Sequence, residues 1–139
     1  MQIVATGIIL GISQQKINDG LYSVAEKPSI NPFIFGSDLR EGMRTTVVCS
    51  IGSGEPPFRI TWYKEDVPMD QTNLDVQIES LGDFTSSLKI LNIRRKHSGN
   101  YTCKVSSAQA SHIYSTYTAQ LVVQGRSWPF RSEIQQPKL

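Results

Sequence analysis

Hydrophobic and polar positions alternate strictly through most of the middle of this chain. Met43, Thr45, Val47, Cys49 and Ile51 share one parity, and Arg44, Thr46, Val48 and Ser50 the other, the period-two pattern of a strand with one face in a core. A turn-rich stretch from Gly52 to Pro57 leads into Phe58, Ile60 and Trp62 alternating with Arg59, Thr61 and Tyr63, so a second strand follows. Leu74, Val76 and Ile78 repeat the pattern, Leu81-Gly82-Asp83 reverses the chain, and Phe84, Ser86, Leu88 and Ile90 resume it, which predicts a hairpin. Tyr101, Cys103 and Val105 alternate with Asn100, Thr102 and Lys104, and Ala119, Leu121 and Val123 share one face of a last strand. Pro28 and Pro32 punctuate an extended segment, Ser29 to Phe35, of the kind a sheet edge tolerates. Counting that edge, the pattern predicts seven short antiparallel strands packed as a two-sheet sandwich.

The flanks read differently. Residues 1–26 hold no sustained period and are expected to be an N-terminal tail or weak signal segment. Their apolar stretch ends in the small-x-small pattern Gly11-Ile12-Ser13, yet no Lys or Arg precedes it, as a signal peptide would require. Residues 27–124 are the expected domain, and 125–139, polar and proline-punctuated, a tail or linker in which Trp128-Pro129-Phe130 alternatively opens a further domain. No apolar run approaches the roughly 18 residues of a membrane span, so a membrane enters only through a missing part of a longer receptor.

Composition narrows the function classes. The 139 residues carry 14 Lys and Arg against 12 Asp and Glu, a net charge of +2, with 19% charged residues. That surplus is too small for a nucleic-acid footprint, and Arg94-Arg95-Lys96 is the only basic cluster, with a solvated turn as its default reading. The abundance of Val, Ile and Thr agrees with strands. Two cysteines, Cys49 and Cys103, are one bridge or two separate buried thiols, and composition does not choose.

The spacing of four residues is more specific. In a sandwich, Cys49 and Cys103 fall on opposite inner faces across about ten ångströms of core, with Trp62 packed against them. Tyr101, two residues before the second cysteine, sits where a phenol hydroxyl bonds back to the backbone at the corner between sheets. With Leu88-x-Ile90-x-x-Ile93 before that corner and Ser98-Gly99-Asn100-Tyr101-Thr102-Cys103 after it, the chain resembles an immunoglobulin domain of the intermediate (I-set) type over about Pro28 to Gln124. The runs Ile30-Asn31-Pro32-Phe33-Ile34-Phe35, Glu41-Gly42 and Gly54-Glu55-Pro56-Pro57-Phe58 before Thr61-Trp62 resemble, more narrowly, variable domains of the arthropod Down syndrome cell adhesion molecule family.

The resemblance implies an all-β, two-sheet antiparallel sandwich with one inter-sheet disulfide, Cys49 to Cys103, and a core built on Trp62, Tyr101, Leu88 and Ile90. A metal pair is the rejected alternative, because His97 and His112 give no compact ligand spacing. A bridge of this kind persists in oxidising compartments and implies an extracellular domain. His97 departs from the family, which has Asp there paired with an Arg at the start of the fourth strand. Residues 70–77 hold no Arg or Lys, so His97 is expected to cap or hydrogen-bond the corner.

Asn100-Tyr101-Thr102 is the single glycosylation sequon, and its parity turns Asn100 outward. His97-Ser98 and Ser111-His112 are adjacent pairs without a glycine elbow or paired carboxylates, so no catalytic site, cofactor, small-molecule substrate or metal is expected. The outer face of the second and fifth strands carries Arg44, Thr46, Val48 and Ser50 beside Thr85, Ser87, Lys89 and Leu91, continued by Gln77 and Glu79 on the fourth. Lys89 or Arg44 can meet Glu79 of a second copy across a two-fold axis. In the family this chain resembles, the corresponding face of variable domains mediates homophilic recognition. The expected function is therefore a recognition module for cell adhesion, with an identical or related immunoglobulin domain as partner. The alternatives are a soluble immune-type receptor domain and an intracellular structural module of the kind strung along muscle filaments.

Overall fold

A computed structural model describes residues 26–70 and 75–125. Leu74, the N-terminal tail or signal segment and the stretch around Trp128 lie outside the described residues. Ten strands occur among the described residues: β1 (Ser29–Ile30), β2 (Leu39–Arg40), β3 (Thr45–Ser53), β4 (Phe58–Lys64), β5 (Val67–Pro68), β6 (Val76–Ser80), β7 (Thr85–Ile90), β8 (Gly99–Ser107), β9 (Tyr114–Leu121) and β10 (Val123–Gln124). A single 3-10 turn, Arg95–His97, links β7 to β8. One antiparallel sheet has the order β1-β3-β7-β6 and the other β5-β4-β8-β9.

The alternating runs are the long strands, and their inward sides make the core. Val47, Cys49, Trp62, Val76, Leu88, Ile90, Tyr101, Cys103, Val105 and Leu121 are all buried. Side chains of period two can reach one interior only if the two sheets face each other. The Cys49–Cys103 disulfide crosses between them with a Cα–Cα distance of 6.4 Å. Trp62 is the register partner of Cys103 and lies against the core at 1% exposure. Phe33 meets its indole edge-on at 5.5 Å between centroids.

The N-terminal edge departs from the expected single antiparallel segment. Only Ser29 and Ile30 enter the β3 ladder; the chain then leaves that sheet, and β2 runs parallel to β10, just past the end of β9, as a separate two-stranded sheet. Pro32 has no N–H to continue the first ladder, and Phe33 and Phe35 between the two short strands are buried, so the crossing still fills the core. Phe84 and Met43, placed by parity on inward faces, are instead 47% and 43% exposed. Both precede the first ladder residue of their strands, Thr85 and Thr45; their carbonyls still accept the Ile51 and Ile93 N–H groups, and the Phe84 ring is covered on one side by Phe58.

Candidate recognition face

The outer face of the β1-β3-β7-β6 sheet is ordered by its register. Thr46 lies opposite Lys89, which lies opposite Gln77; Val48 lies opposite Ser87, which lies opposite Glu79. The next row pairs Ser50 with Thr85. Thr46, Val48, Gln77, Glu79 and Lys89 thus form two adjacent rows on three strands. Arg44 and Leu91 stand just past the ladder, which closes with Thr45 opposite Ile90. Val48 is 39% and Leu91 49% exposed, while Ser87, expected outward, is 4% exposed. Parity turns it outward, in the middle of its row between Val48 and Glu79. Neither Lys89 nor Glu79 enters an ion pair among the described residues.

The corner beneath that sheet is closed by main-chain and ring chemistry. His97 is fully buried, and its Nδ1 accepts the Arg94 N–H at 2.8 Å. The Tyr101 hydroxyl donates to the His97 carbonyl at 2.6 Å. Burial, helped by the negative charge of Glu65, pushes the Tyr101 phenol well above its ordinary value, because ionisation here would forfeit solvation. Sequence reasoning missed the ion pair at this corner. Lys96 Nζ lies 3.0 Å from Asp75 Oδ2, just before β6, a pairing with the opposite polarity to the Asp and Arg that the family resemblance led one to look for. The Lys96 hydrogen bond and charge lower the Asp75 pKa.

Asn100 lies on the other sheet, exposed, opposite Gln120. A second feature escaped the sequence here: the β4–β5 turn puts Glu65 and Asp66 at φ of 50° and 66°, the left-handed pair of a tight hairpin usually signalled by Asn-Gly. Glu65 Oε2 accepts the Asn100 N–H at 2.8 Å, and the Glu65 N–H returns a bond to the Asn100 carbonyl at 3.0 Å. This long-range clamp holds the turn where its own residue types would not. At the far end of the sandwich a cavity of about 400 Å³ is lined by Pro57, Phe58, Ile60, Ile78 and Asp83.

The remaining candidates for chemistry stand apart. His97 is committed to the corner, Ser98 Oγ accepts the Val123 N–H at 3.2 Å, and Ser111 and His112 are exposed in the turn before β9. Among the described residues no three His, Cys, Asp or Glu side chains gather as metal ligands would.

Sheet order, inter-sheet disulfide, packed indole and tyrosine corner together define an immunoglobulin-type sandwich. A sequence model of the immunoglobulin domain family matches residues 27–107, and the chain belongs to that family. It is 39% identical over 104 residues to the cell adhesion molecule Dscam2 of Drosophila melanogaster, which covers 75% of this chain and 5% of that protein. It is 38% identical over 101 residues to the cell adhesion molecule DSCAM of Rattus norvegicus, covering 73% of this chain and 5% of that protein. The chain therefore spans about one twentieth of the length of these relatives. Among solved structures, the Dscam1 Ig7 domain, isoform 5, superposes with a TM-score of 0.65 at 28% identity, covering 70% of this chain and 97% of that one. An I-band fragment of titin superposes with a TM-score of 0.61 at 26% identity, covering 72% of this chain and 33% of that one.

Proposed function

We propose that this domain is an extracellular recognition module for cell adhesion that binds a second copy of itself through the outer face of the β1-β3-β7-β6 sheet. The observation that carries the reading is the row arrangement of that face. Val48 and Leu91 expose apolar surface, while Lys89 and Glu79, without an ion pair among the described residues, sit on neighbouring rows of adjacent strands. A two-fold axis through such a face brings each Lys89 to the partner's Glu79 and each apolar side chain to its counterpart, which makes the surface self-complementary. Relatives whose names describe them as cell adhesion molecules support the class, and the likeness to Dscam1 Ig7 supports a variable-type recognition domain. The disulfide supports a secreted or ectodomain setting, since such bonds persist where the environment oxidises.

Charge exchange tests this reading. In sedimentation or bead aggregation, Lys89→Glu and Glu79→Lys each abolish self-association by facing like charges across the axis. Mixing the two variants restores it, because each then presents the charge the other needs. A wild-type domain that stays strictly monomeric at high concentration, or a mixture that fails to recover, overturns it.

The likeness to titin favours a second reading, an intracellular structural module. It requires Cys49 and Cys103 to be reduced in the native protein. Thiol counting under denaturing conditions separates the two: two free thiols support the structural module, none the extracellular domain.

A further inference from the structure

We propose that Asn100 carries an N-linked glycan which covers the outer face of the β4-β8-β9 strands and so confines protein contact to the opposite sheet. The second half of this proposal rests on the recognition face above; the first does not.

Asn100 is held by its main chain and left open at its side chain. Glu65 takes its N–H at 2.8 Å and donates to its carbonyl at 3.0 Å, whereas the exposed carboxamide makes no hydrogen bond among the described residues. An added sugar therefore displaces no native contact. The hydroxyl at the position the acceptor sequence requires, Thr102, lies on the same face, with its Oγ1 2.7 Å from Thr118 Oγ1. In the extended chain before folding both groups are available to the transferring enzyme. The carboxamide nitrogen then attacks C1 of a polyprenyl-diphosphate-linked oligosaccharide. The C1–N bond forms as the C1–O bond breaks, the diphosphate leaves with the electron pair, and the nitrogen gives up one proton.

The surface around Asn100 is mostly hydroxyl-bearing and polar. Register puts Tyr63, Thr102 and Thr118 in one row and Thr61, Lys104 and Thr116 in the next. Strands β4, β8 and β9 turn no aliphatic side chain outward; their apolar area is the rings of Tyr63 and of Tyr114, which is 45% exposed and has Lys104 Nζ over its ring, and Val67 stands exposed only at the β5 edge of the sheet. The opposite sheet exposes Val48 and Leu91. The exposed aliphatic side chain of a central strand, Val48 on β3, thus lies on the sheet away from Asn100.

The test secretes the full chain from insect cells behind a cleavable signal sequence. Mass spectrometry before and after peptide N-glycosidase is expected to show a glycan at Asn100, with Asp left at that position after release. The glycan disappears in Asn100→Gln and in Thr102→Val and persists in Thr102→Ser; secreted protein with unmodified Asn100 overturns the proposal. Self-association of Asn100→Gln is expected to match that of the wild type within about twofold; loss of association in this variant puts the contact on the wrong sheet and overturns the partition. Arg44→Asn builds an acceptor sequence with Thr46 on the opposite face, and its glycan is expected to abolish association while Arg44→Gln weakens it less. Association that survives a glycan at position 44 sinks the recognition-face reading and leaves the Asn100 result standing.

Discussion

The indole Nε1–H of Trp62 donates to Ser86 Oγ at 3.0 Å inside the core, crossing from one sheet to the other beside the disulfide. The two links are neighbours because Trp62 is the register partner of Cys103 and Ser86 that of Cys49. A covalent bond and a buried hydrogen bond thus tie the same two strand pairs together. Ser86→Ala leaves the indole N–H buried without an acceptor, which costs about 1–3 kcal/mol. Urea unfolding at neutral pH should show that loss without a change in slope. An unchanged midpoint would mean that the indole finds another acceptor.

Closing the loop between Cys49 and Cys103, whose sequence separation is 54, removes freedom from the unfolded chain. In the chain-entropy model the bridge contributes about 4 kcal/mol. The double variant Cys49→Ala/Cys103→Ala, or the reduced wild type, is expected to lose stability of that order in denaturant titrations. Trp62 fluorescence should still report a folded state at low temperature, since Leu88, Ile90 and Val105 remain to fill the core.

Tyr101 gives the domain an alkaline limit. Its phenol titrates above its usual value of 10.0 in the folded state because burial disfavours the phenolate. The folded chain therefore keeps a proton that the unfolded chain releases once the pH passes 10. The contribution is fully present below pH 10 and declines as the pH climbs toward the folded value, at up to about 1.4 kcal/mol per pH unit. Stability measured from pH 9 upward should fall less steeply in Tyr101→Phe. The same variant loses the hydrogen bond to the His97 carbonyl and should be about 1 kcal/mol less stable at neutral pH. Parallel pH profiles for variant and wild type would remove Tyr101 from the account.

Gly99 sits at φ of 144°, and a Cβ there would overlap Glu65 Oε2. Gly99→Ala is expected to cost at least about 2 kcal/mol, from backbone strain and from displacing the carboxylate that accepts the Asn100 N–H. Glu65→Ala alone should cost about 1 kcal/mol. Combined, the two changes should destabilise by less than their sum, because removing the carboxylate removes the tightest overlap and leaves only the flexible Lys64 Nζ at 2.9 Å to shift. Strict additivity in thermal unfolding would show that the clash is not felt.

Much of this architecture is legible in the chain. The alternation of Val47 and Cys49, of Leu88 and Ile90 and of Tyr101, Cys103 and Val105 marks the long strands and their inward sides, because pleating obeys a fixed period wherever one face is buried. The short pieces carry no such signal. β2, β5 and β10 are two residues each and exist only because a neighbouring strand offers a ladder. The left-handed turn at Glu65 and Asp66 lacks the usual glycine or asparagine and is held by Asn100, 35 residues away. Ser86 reads as one more inward residue of a strand; nothing local says that an indole from the other sheet needs its oxygen.

The same division holds for the candidate face. Parity alone puts Val48, Lys89, Gln77 and Glu79 on one side of their strands, yet which of them become neighbours depends on register between segments far apart in sequence. Ser87 shares their parity and is nevertheless buried. The sequence by itself determined the long strands and their buried sides, with both cysteines on inward positions, because these follow from local period. Tertiary structure decided the rows of the face, the crossing of the N-terminal edge and the reversed Lys96–Asp75 pair. Each of those arises from groups that only the packing of one sheet on the other brings within reach.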